Sequence, residues 1–584
     1  MLKKYSIRIQ NNITLHSDDL IAIALAIIVG IILSLMPHIV GILETGNPVS
    51  FVDNDDILYQ FYATTAYHNH PLYLSDPVLK EGGSTMYPWL QFIPGVMITK
   101  LLDLNPLYIN IIWRLWAGIS IPIAWYLVTR SYLKNSWLSL GSTIILMTDS
   151  EMLSSWLISK HFITVSKVAL GIPGTVLEKN PQLLDQWRII TPGMSLAYLL
   201  IYVWLFHLAL SKPTRMRIVL AAASLGLLFY IYFYFWTSAI LGLVIGILLD
   251  IKNRKTYLSI GIGGLLLGLP QVVMNSLIKH NSNSEWLPRT DNFLPISHFS
   301  ELLLPVLSLS LILGTFFWVI FRRRDLVHIW SLAAAAILLT NHQIVTGLQI
   351  QNFHWKYCYG PILSLLVILI LLEIISLSKL WKKPIIFAGI ALVSFYLTTG
   401  IWLRYVEASQ TKESVELTNI YHKYKNQVLD QSDVNLKPRS VIAGDQNFVD
   451  FAVMTKNQRP LYGYAVNLSP AVDNAEWDAR IALNDYLQGI NRSTFLTKQD
   501  IELKTTTWGP WVRDAKKLDE RFQSRQKSYD DILADPVKAF KKFQVKYVAL
   551  SKNTQQPQYL NAGWKLLQDG QYWQIWENKL DKSA

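Results

Sequence analysis

The chain of 584 residues is long enough for several soluble domains, yet 51% of it is hydrophobic and only 16% charged, with a positive mean hydropathy of +0.26. The apolar residues gather in blocks of roughly 18 to 22, such as Leu20 to Leu43 and Ile385 to Leu403, the length that crosses a hydrocarbon core about 30 Å thick. This excludes a soluble enzyme, a disordered chain and, since Cys358 is the single cysteine, a disulfide-stapled secreted domain. The surplus of 53 Lys and Arg over 41 Asp and Glu, a net +12, calls for no nucleic acid partner, because membrane proteins concentrate Lys and Arg on the cytoplasmic side.

Lys3, Lys4 and Arg8 place the N-terminus in the cytoplasm, and the first apolar block, with no small-residue cleavage site after it, reads as a retained span. It leads to a long outer loop, residues 44–106. Tyr87 to Leu102 is short for a span and interrupted by Pro88 and Pro94; laid along the interface, it lets every later loop obey the positive-inside rule. The spans that follow are Leu107–Thr129, Trp137–Thr148, Thr191–Leu210, Ile218–Trp236, Thr237–Leu249, Tyr257–Ile278, Leu302–Phe321, Leu326–Ile344, Tyr359–Leu377 and Ile385–Leu403. The basic clusters Arg322-Arg323-Arg324 and Lys379-Lys382-Lys383 then fall inside. The expectation is an all-α polytopic membrane domain over residues 1–403 with about 11 transmembrane helices, followed by an extracytoplasmic α/β domain over residues 404–584. Within the latter, β-type runs (Ser440–Ala443, Val545–Leu550, Tyr572–Trp576) alternate with helical stretches such as Asp514–Ser528.

The outer loop opens with Asp53-Asn54-Asp55-Asp56 ahead of an amphipathic run, followed by His68, His70, Asp76-Pro77 and Tyr87-Pro88-Trp89. Carboxylates so close repel one another unless a cation, a basic group or a shared proton relieves them. They read either as a solvated helix cap or as a general base or metal ligand at the membrane surface. Asp149 and Glu151, at the outer end of a later span, carry the same two readings. Thr148 and Glu151 have capping-box spacing, while two acidic loops on one face could share a divalent cation, Mg or Mn, through Asp149, Glu151 and Asp56.

This layout of a span, an acidic pair heading an interfacial helix, Asp76-Pro77, then Tyr87-Pro88-Trp89, resembles the first loop of GT-C membrane glycosyltransferases, particularly the oligosaccharyltransferase and protein mannosyltransferase branches. Asp55-Asp56 matches the acidic position of that loop and Asp149-x-Glu151 the second acidic motif. The resemblance implies a GT-C-like fold, an Asp of the first loop as catalytic base or acceptor-orienting group (Asp55, Asp56 or Asp53), and a sugar donor on a polyprenyl phosphate. The Trp-Trp-Asp-Tyr-Gly signature of oligosaccharyltransferases has no counterpart beyond Trp508-Gly509-Pro510-Trp511, so the acceptor, whether glycan, lipid or protein, stays open.

A lipid-phosphate donor needs positive charge where its leaving phosphate gathers negative charge. The outer-face candidates are Arg188, His354, Lys356 and Arg404, each of which could instead snorkel to headgroups or pair with a carboxylate. Other constellations read as structural. His68-Asn69-His70 has strand rather than helical spacing for a metal pair, Gly261-Ile262-Gly263-Gly264 reads as close helix packing, and Phe229–Trp236 as a lipid-facing or interfacial aromatic belt. The expected function is transfer of a sugar from a polyprenyl-phosphate donor on the outer face of a plasma (inner) membrane. The rivals are a transporter or flippase of a lipid-linked substrate, which would place ionisable residues along a path through the midplane, and a non-catalytic GT-C-like scaffold.

Overall fold

A computed structural model describes the chain apart from residues 1–6, 10–12, 50, 52–53, 71–73, 81–88, 149–189, 191–192, 282–284, 291, 300–301, 304–305, 378–381, 411–435, 507–508, 554–555, 562, 571 and 581–584. A short antiparallel hairpin, β1 (Ile7–Ile9) and β2 (Ile13–Leu15), precedes α1 (Ser17–Thr45), whose start is fixed by Asp19 accepting from the His16 backbone N–H at 2.9 Å. The helix stops at Gly46, whose φ of 71° a side chain would resist.

The membrane domain continues through α2 (Asn54–His68), α3 (Ile93–Leu101), α4 (Ile109–Leu133), α5 (Ser136–Thr148), α6 (Gly193–Ser211), α7 (Arg215–Leu228), α8 (Phe233–Leu249) and α9 (Arg254–Asn281). A small element follows, with α10 (Trp286–Arg289) and a two-stranded sheet of β3 (Asn292–Pro295) and β4 (Leu348–Ile350). Around it come α11 (Val306–Phe321), α12 (Val327–Leu339), α13 (Gln343–Thr346), α14 (Lys356–Leu377) and α15 (Lys382–Gln410). Among the described residues 5 helices are long and apolar enough to cross a membrane, and shorter apolar helices pack among them. The chain is a multi-pass membrane protein. The apolar stretches read from the sequence overlap helices among the described residues, though not each with one continuous helix.

Two local expectations need correction. The stretch Ile218–Trp236 is broken between Leu228 and Phe233, so its aromatic run forms a turn at a helix junction instead of a continuous span. Phe229, Tyr232, Tyr234 and Phe235 are buried, which removes them from any lipid-facing belt. His68 is the last residue of α2. Gly264, by contrast, packs as anticipated: a Cβ there would meet the Leu225 side chain at 2.4 Å, so α7 and α9 approach through the missing side chain.

The last membrane helix runs past residue 403, to Gln410. The C-terminal domain is a five-stranded sheet in the order β6-β5-β7-β9-β8, with β5 (Val441–Gly444), β6 (Arg459–Pro460), β7 (Val545–Ser551), β8 (Trp564–Asp569) and β9 (Trp573–Asn578). β5 runs parallel to β6 and β7, and β9 antiparallel to β7 and β8. The buried centre of β7 explains why its sequence is nearly continuous in apolar residues. The helices α16 (Gln446–Lys456), α17 (Tyr464–Asn467), α18 (Asn474–Leu487), α19 (Arg492–Thr505), α20 (Ala515–Ala534) and α21 (Pro536–Lys542) complete the domain. Asp445, Asp473, Asn491, Asp514 and Asp535 cap five of them with side-chain oxygens.

The two domains meet at one end of the helix bundle. Thr64 of α2 donates to the Met454 carbonyl at 2.8 Å, and Ser469 donates to Asp76 at 2.6 Å. Arg439 reaches the carbonyls of Asp76, Pro77 and Leu79. The first loop is thereby clamped beneath the C-terminal domain. At the opposite end of the bundle Asp19 binds Arg130 at 2.7 Å and Ser136 at 2.6 Å.

Candidate active site

The acidic start of α2 divides its two described carboxylates between different surroundings. Asp56 is turned into the bundle, where its Oδ2 accepts from Arg114 Nη2 at 2.7 Å with both side chains almost fully buried. Arg114 Nη1 also donates to Asn110 Oδ1 at 2.5 Å and lies 3.2 Å from His38 Nε2. His38 Nδ1 is 2.6 Å from the Pro48 carbonyl, so the network assigns Nδ1–H as donor and leaves Nε2 to accept from Arg114. A buried charge is tolerated when paired and hydrogen-bonded in this way. This network ties α1, α2 and α4 together, with Asp56 as its anion.

Asp55, the neighbouring residue, is half-buried and lines a cavity of about 1000 Å³ between the bundle end and the C-terminal domain. The membrane-domain wall adds Tyr59 and Gln91, the aromatic segment from Phe229 to Trp236, the α9 residues Gln271, Asn275 and Lys279, and His354. Gln271, Asn275 and Lys279 recur every four residues and therefore share one face of α9, while Leu266, Val273 and Leu277 are exposed on its other sides. Lys279 Nζ sits 3.9 Å from the Phe293 ring centroid. His354 Nδ1 is 2.5 Å from the Tyr232 hydroxyl, and its ring stacks on Tyr234 at 4.8 Å.

The C-terminal wall carries Asp450, Tyr462, Trp477, Glu502, Trp511 and Arg525. Arg525 is committed to Asp478 at 3.2 Å and Glu502 at 3.1 Å. Arg289, also at the cavity, points its guanidinium at the carbonyls of Ser469, Val472 and Asp473 and acts as a strut between domains; burial pulls it down to about 10. Burial pushes the Asp450 carboxyl up to about 7, against the hydrogen bond from Gln446 and with the help of nearby Asp445.

Of the residues singled out in the sequence, Asp55 and His354 line this cavity. Asp56 stands directly behind it. Lys356 lies over the Tyr357 ring at 5.0 Å and does not line it. Arg404 is buried on α15, between Ile401 and Ala408, which pack on Met36 and Val40 of α1. That position puts Arg404 against the helix bearing His38 and away from the cavity wall. Asp53, Asp149, Glu151 and Arg188 lie outside the described residues. Among the described residues no group of 3 or more His, Cys, Asp or Glu is placed to hold a metal ion. Lys279 and Asp450 were not picked out in advance. Lys279 is a lone cation in the last turn of the apolar helix α9 beside His280, and Asp450 is a lone acid in the apolar run Phe448-Val449-Asp450-Phe451-Ala452-Val453.

No protein-family model matches the chain, and no curated protein matches it. Among solved structures it is similar to the apo oligosaccharyltransferase of Archaeoglobus fulgidus, with a TM-score of 0.43 and 12% identity over 91% of this chain and 69% of that one. The same archaeal enzyme in complex with Zn and sulfate matches with a TM-score of 0.43 and 12% identity, over 90% and 68% of the two chains. ArnT of Cupriavidus metallidurans bound to undecaprenyl phosphate gives a TM-score of 0.40 and 13% identity, over 97% and 98%. Likenesses at these identities and TM-scores assign no activity to this chain.

Proposed function

We propose that the chain is an integral membrane glycosyltransferase that moves a sugar from a polyprenyl-phosphate donor to an acceptor on the extracytoplasmic face. The observation that carries this reading is the cavity itself. One carboxylate, Asp55, lines it with an aromatic wall bearing a lysine and a histidine, at the junction of the helix bundle and the C-terminal domain. Such a mixture suits a prenyl phosphate, with apolar surface for the chain and a lysine and a hydrogen-bonding histidine for the phosphate.

In the proposed step Asp55 accepts the proton of an acceptor hydroxyl. The acceptor oxygen bonds to the anomeric carbon, the bond from that carbon to the donor phosphate breaks, and the phosphate leaves with the electron pair. Lys279 and His354 stand where this charge develops. Asp56 cannot share the base role while Arg114 holds it. A divalent cation on Asp149 and Glu151 is a further part of the proposal; loss of turnover in EDTA, restored by Mg or Mn, would establish it. Transport is less well supported, because Arg114, the ionisable group within its span, is bonded to Asp56, Asn110 and His38 instead of lining a path.

The test uses native membranes containing the full chain and radiolabelled hexose and pentose donors on polyprenyl phosphate. Asp55→Asn and Asp55→Ala should both abolish label transfer while the protein stays folded. Transfer at the unaltered rate in both variants would end the reading.

A further inference from the structure

The two walls of the cavity differ in chemistry. The membrane wall holds Lys279 and His354, whereas the C-terminal wall holds Asp450, Tyr462, Trp477 and Trp511. With Lys279 and His354 assigned to the donor phosphate and Asp55 to the acceptor's proton, the second wall is left with nothing to do in the step above.

Asp450 is the informative residue there. Its Oδ1 accepts from Gln446 Nε2 at 2.5 Å, and the 9% of the residue still exposed opens into the cavity. The charged group acting on it is acidic, Asp445 at the head of its own helix. Tyr462 feels its charge from the facing segment, together with those of Asp485, Glu502 and Arg525, and Arg525 is occupied by Asp478 and Glu502. A carboxyl in this setting keeps its proton near neutrality, and with one oxygen engaged by Gln446 it presents an O–H to the cavity. Beside it Trp477 and Trp511, with ring centroids 5.9 Å apart, are held by the Arg521 guanidinium at 4.5 and 5.1 Å. The two rings are tilted by 38°, and guanidinium groups lie over them, Arg289, Arg521 and Arg525 over Trp477 and Arg521 over Trp511. An undissociated carboxyl and a phenol on a wall that carries two indoles match a polyhydroxylated ring, whose oxygens both donate and accept and whose C–H groups are apolar. The cavity is at the upper end of the range of about 300–1,000 Å³ for small-molecule sites, which leaves room for a second group beside a donor sugar.

We infer that the C-terminal wall is the acceptor subsite, that the acceptor is a saccharide, and that the Asp450 carboxyl hydrogen-bonds one of its hydroxyl groups. The word acceptor rests on the transferase reading; the saccharide site does not.

The full chain in lipid nanodiscs, titrated with a panel of methyl hexosides and followed by saturation-transfer NMR at pH 6 and pH 8, tests this. At least one hexoside should bind, and its affinity should fall about 3- to 10-fold between the two pH values, the worth of one hydrogen bond. Asp450→Asn, which keeps an N–H donor at every pH, should bind equally at both. Asp450→Leu should bind about 3- to 10-fold more weakly at pH 6. If that variant does not fold, the comparison of wild type with Asp450→Asn decides. Absence of binding across the panel, or an Asp450→Leu variant that binds like wild type, overturns the inference. Hexoside binding that depends on Asp450, without any donor turnover, would remove the transferase reading and keep the saccharide site. Turnover that depends on Asp55, without hexoside binding, would do the reverse.

Discussion

Replacing Asp56 by alanine should damage the fold, and replacing Asp55 should damage only the chemistry. The charges of Asp56 and Arg114 are 2.7 Å apart, a gross attraction of about 6 kcal/mol at an effective dielectric constant of about 20. Most of that offsets desolvation, so the pair adds little net stability, but removing one member strands the other in a buried site at a cost of about 3–5 kcal/mol. Asp55 is half-buried at the cavity, and its loss removes a helix-dipole contribution of about 1 kcal/mol or less. Unfolding of the purified variants in detergent, followed by tryptophan fluorescence, should therefore separate Asp56→Ala from Asp55→Ala. The pair Asp56→Leu with Arg114→Met should be more stable than either single change, since two apolar groups leave no orphaned charge. An Asp56→Ala protein as stable as wild type but inactive would refute the reasoning and hand the base role to Asp56.

Asp450 gives a pH dependence whose sign is fixed by its raised value. The native state holds this proton from about pH 4 up to about pH 7 while the unfolded chain has released it, so stability falls as pH rises through that window. Asp450→Asn should remove the fall and leave the variant more stable than wild type at pH 8 by up to about 4 kcal/mol, as read by denaturant unfolding at pH 5 and pH 8. Gly264→Val would drive a side chain into Leu225 and should cost about 1–3 kcal/mol in thermal unfolding; Gly314→Ala, where a Cβ meets nothing within 4 Å, should cost none of it. Tyr232→Phe removes the hydrogen bond to His354 and should raise the donor KM about 3- to 10-fold with kcat little changed. An unchanged KM would remove His354 from donor binding.

The membrane spans and the strands at 441, 545 and 573 are legible because each rests on a local period or a run of apolar residues. The edge strand β8 was not, since Trp564 to Asp569 alternates too weakly to signal itself. The aromatic segment Phe229–Trp236 shows a deeper limit. Hydropathy is equally high for a ring facing lipid and for one facing a cavity, and only the break at Leu228 decides which it is. Asp450 was hidden for the opposite reason, as a polar residue within an apolar run that the eye assigns to a core. The pairing of Asp56 with Arg114 joins positions 58 residues apart, and no periodicity reports such a contact.

The adjacency of Asp55 and Asp56 follows from helix geometry. Successive side chains on a helix diverge by about 100°, so two neighbouring carboxylates at one helix start can serve two environments. One is locked by Arg114 into the bundle and holds the helix end in a fixed rotation; the other is thereby presented to the cavity. A single acid could not do both, because a carboxylate held by a buried guanidinium is a poor proton acceptor. The acidic pair thus combines an anchor with a working group, and the Arg114 contact decides which residue is which. Asp55→Asn with transfer restored by a carboxylate such as formate, and Asp56→Asn without such rescue, is the outcome this division requires. Rescue of Asp56→Asn instead would show that the anchor and the base had been exchanged.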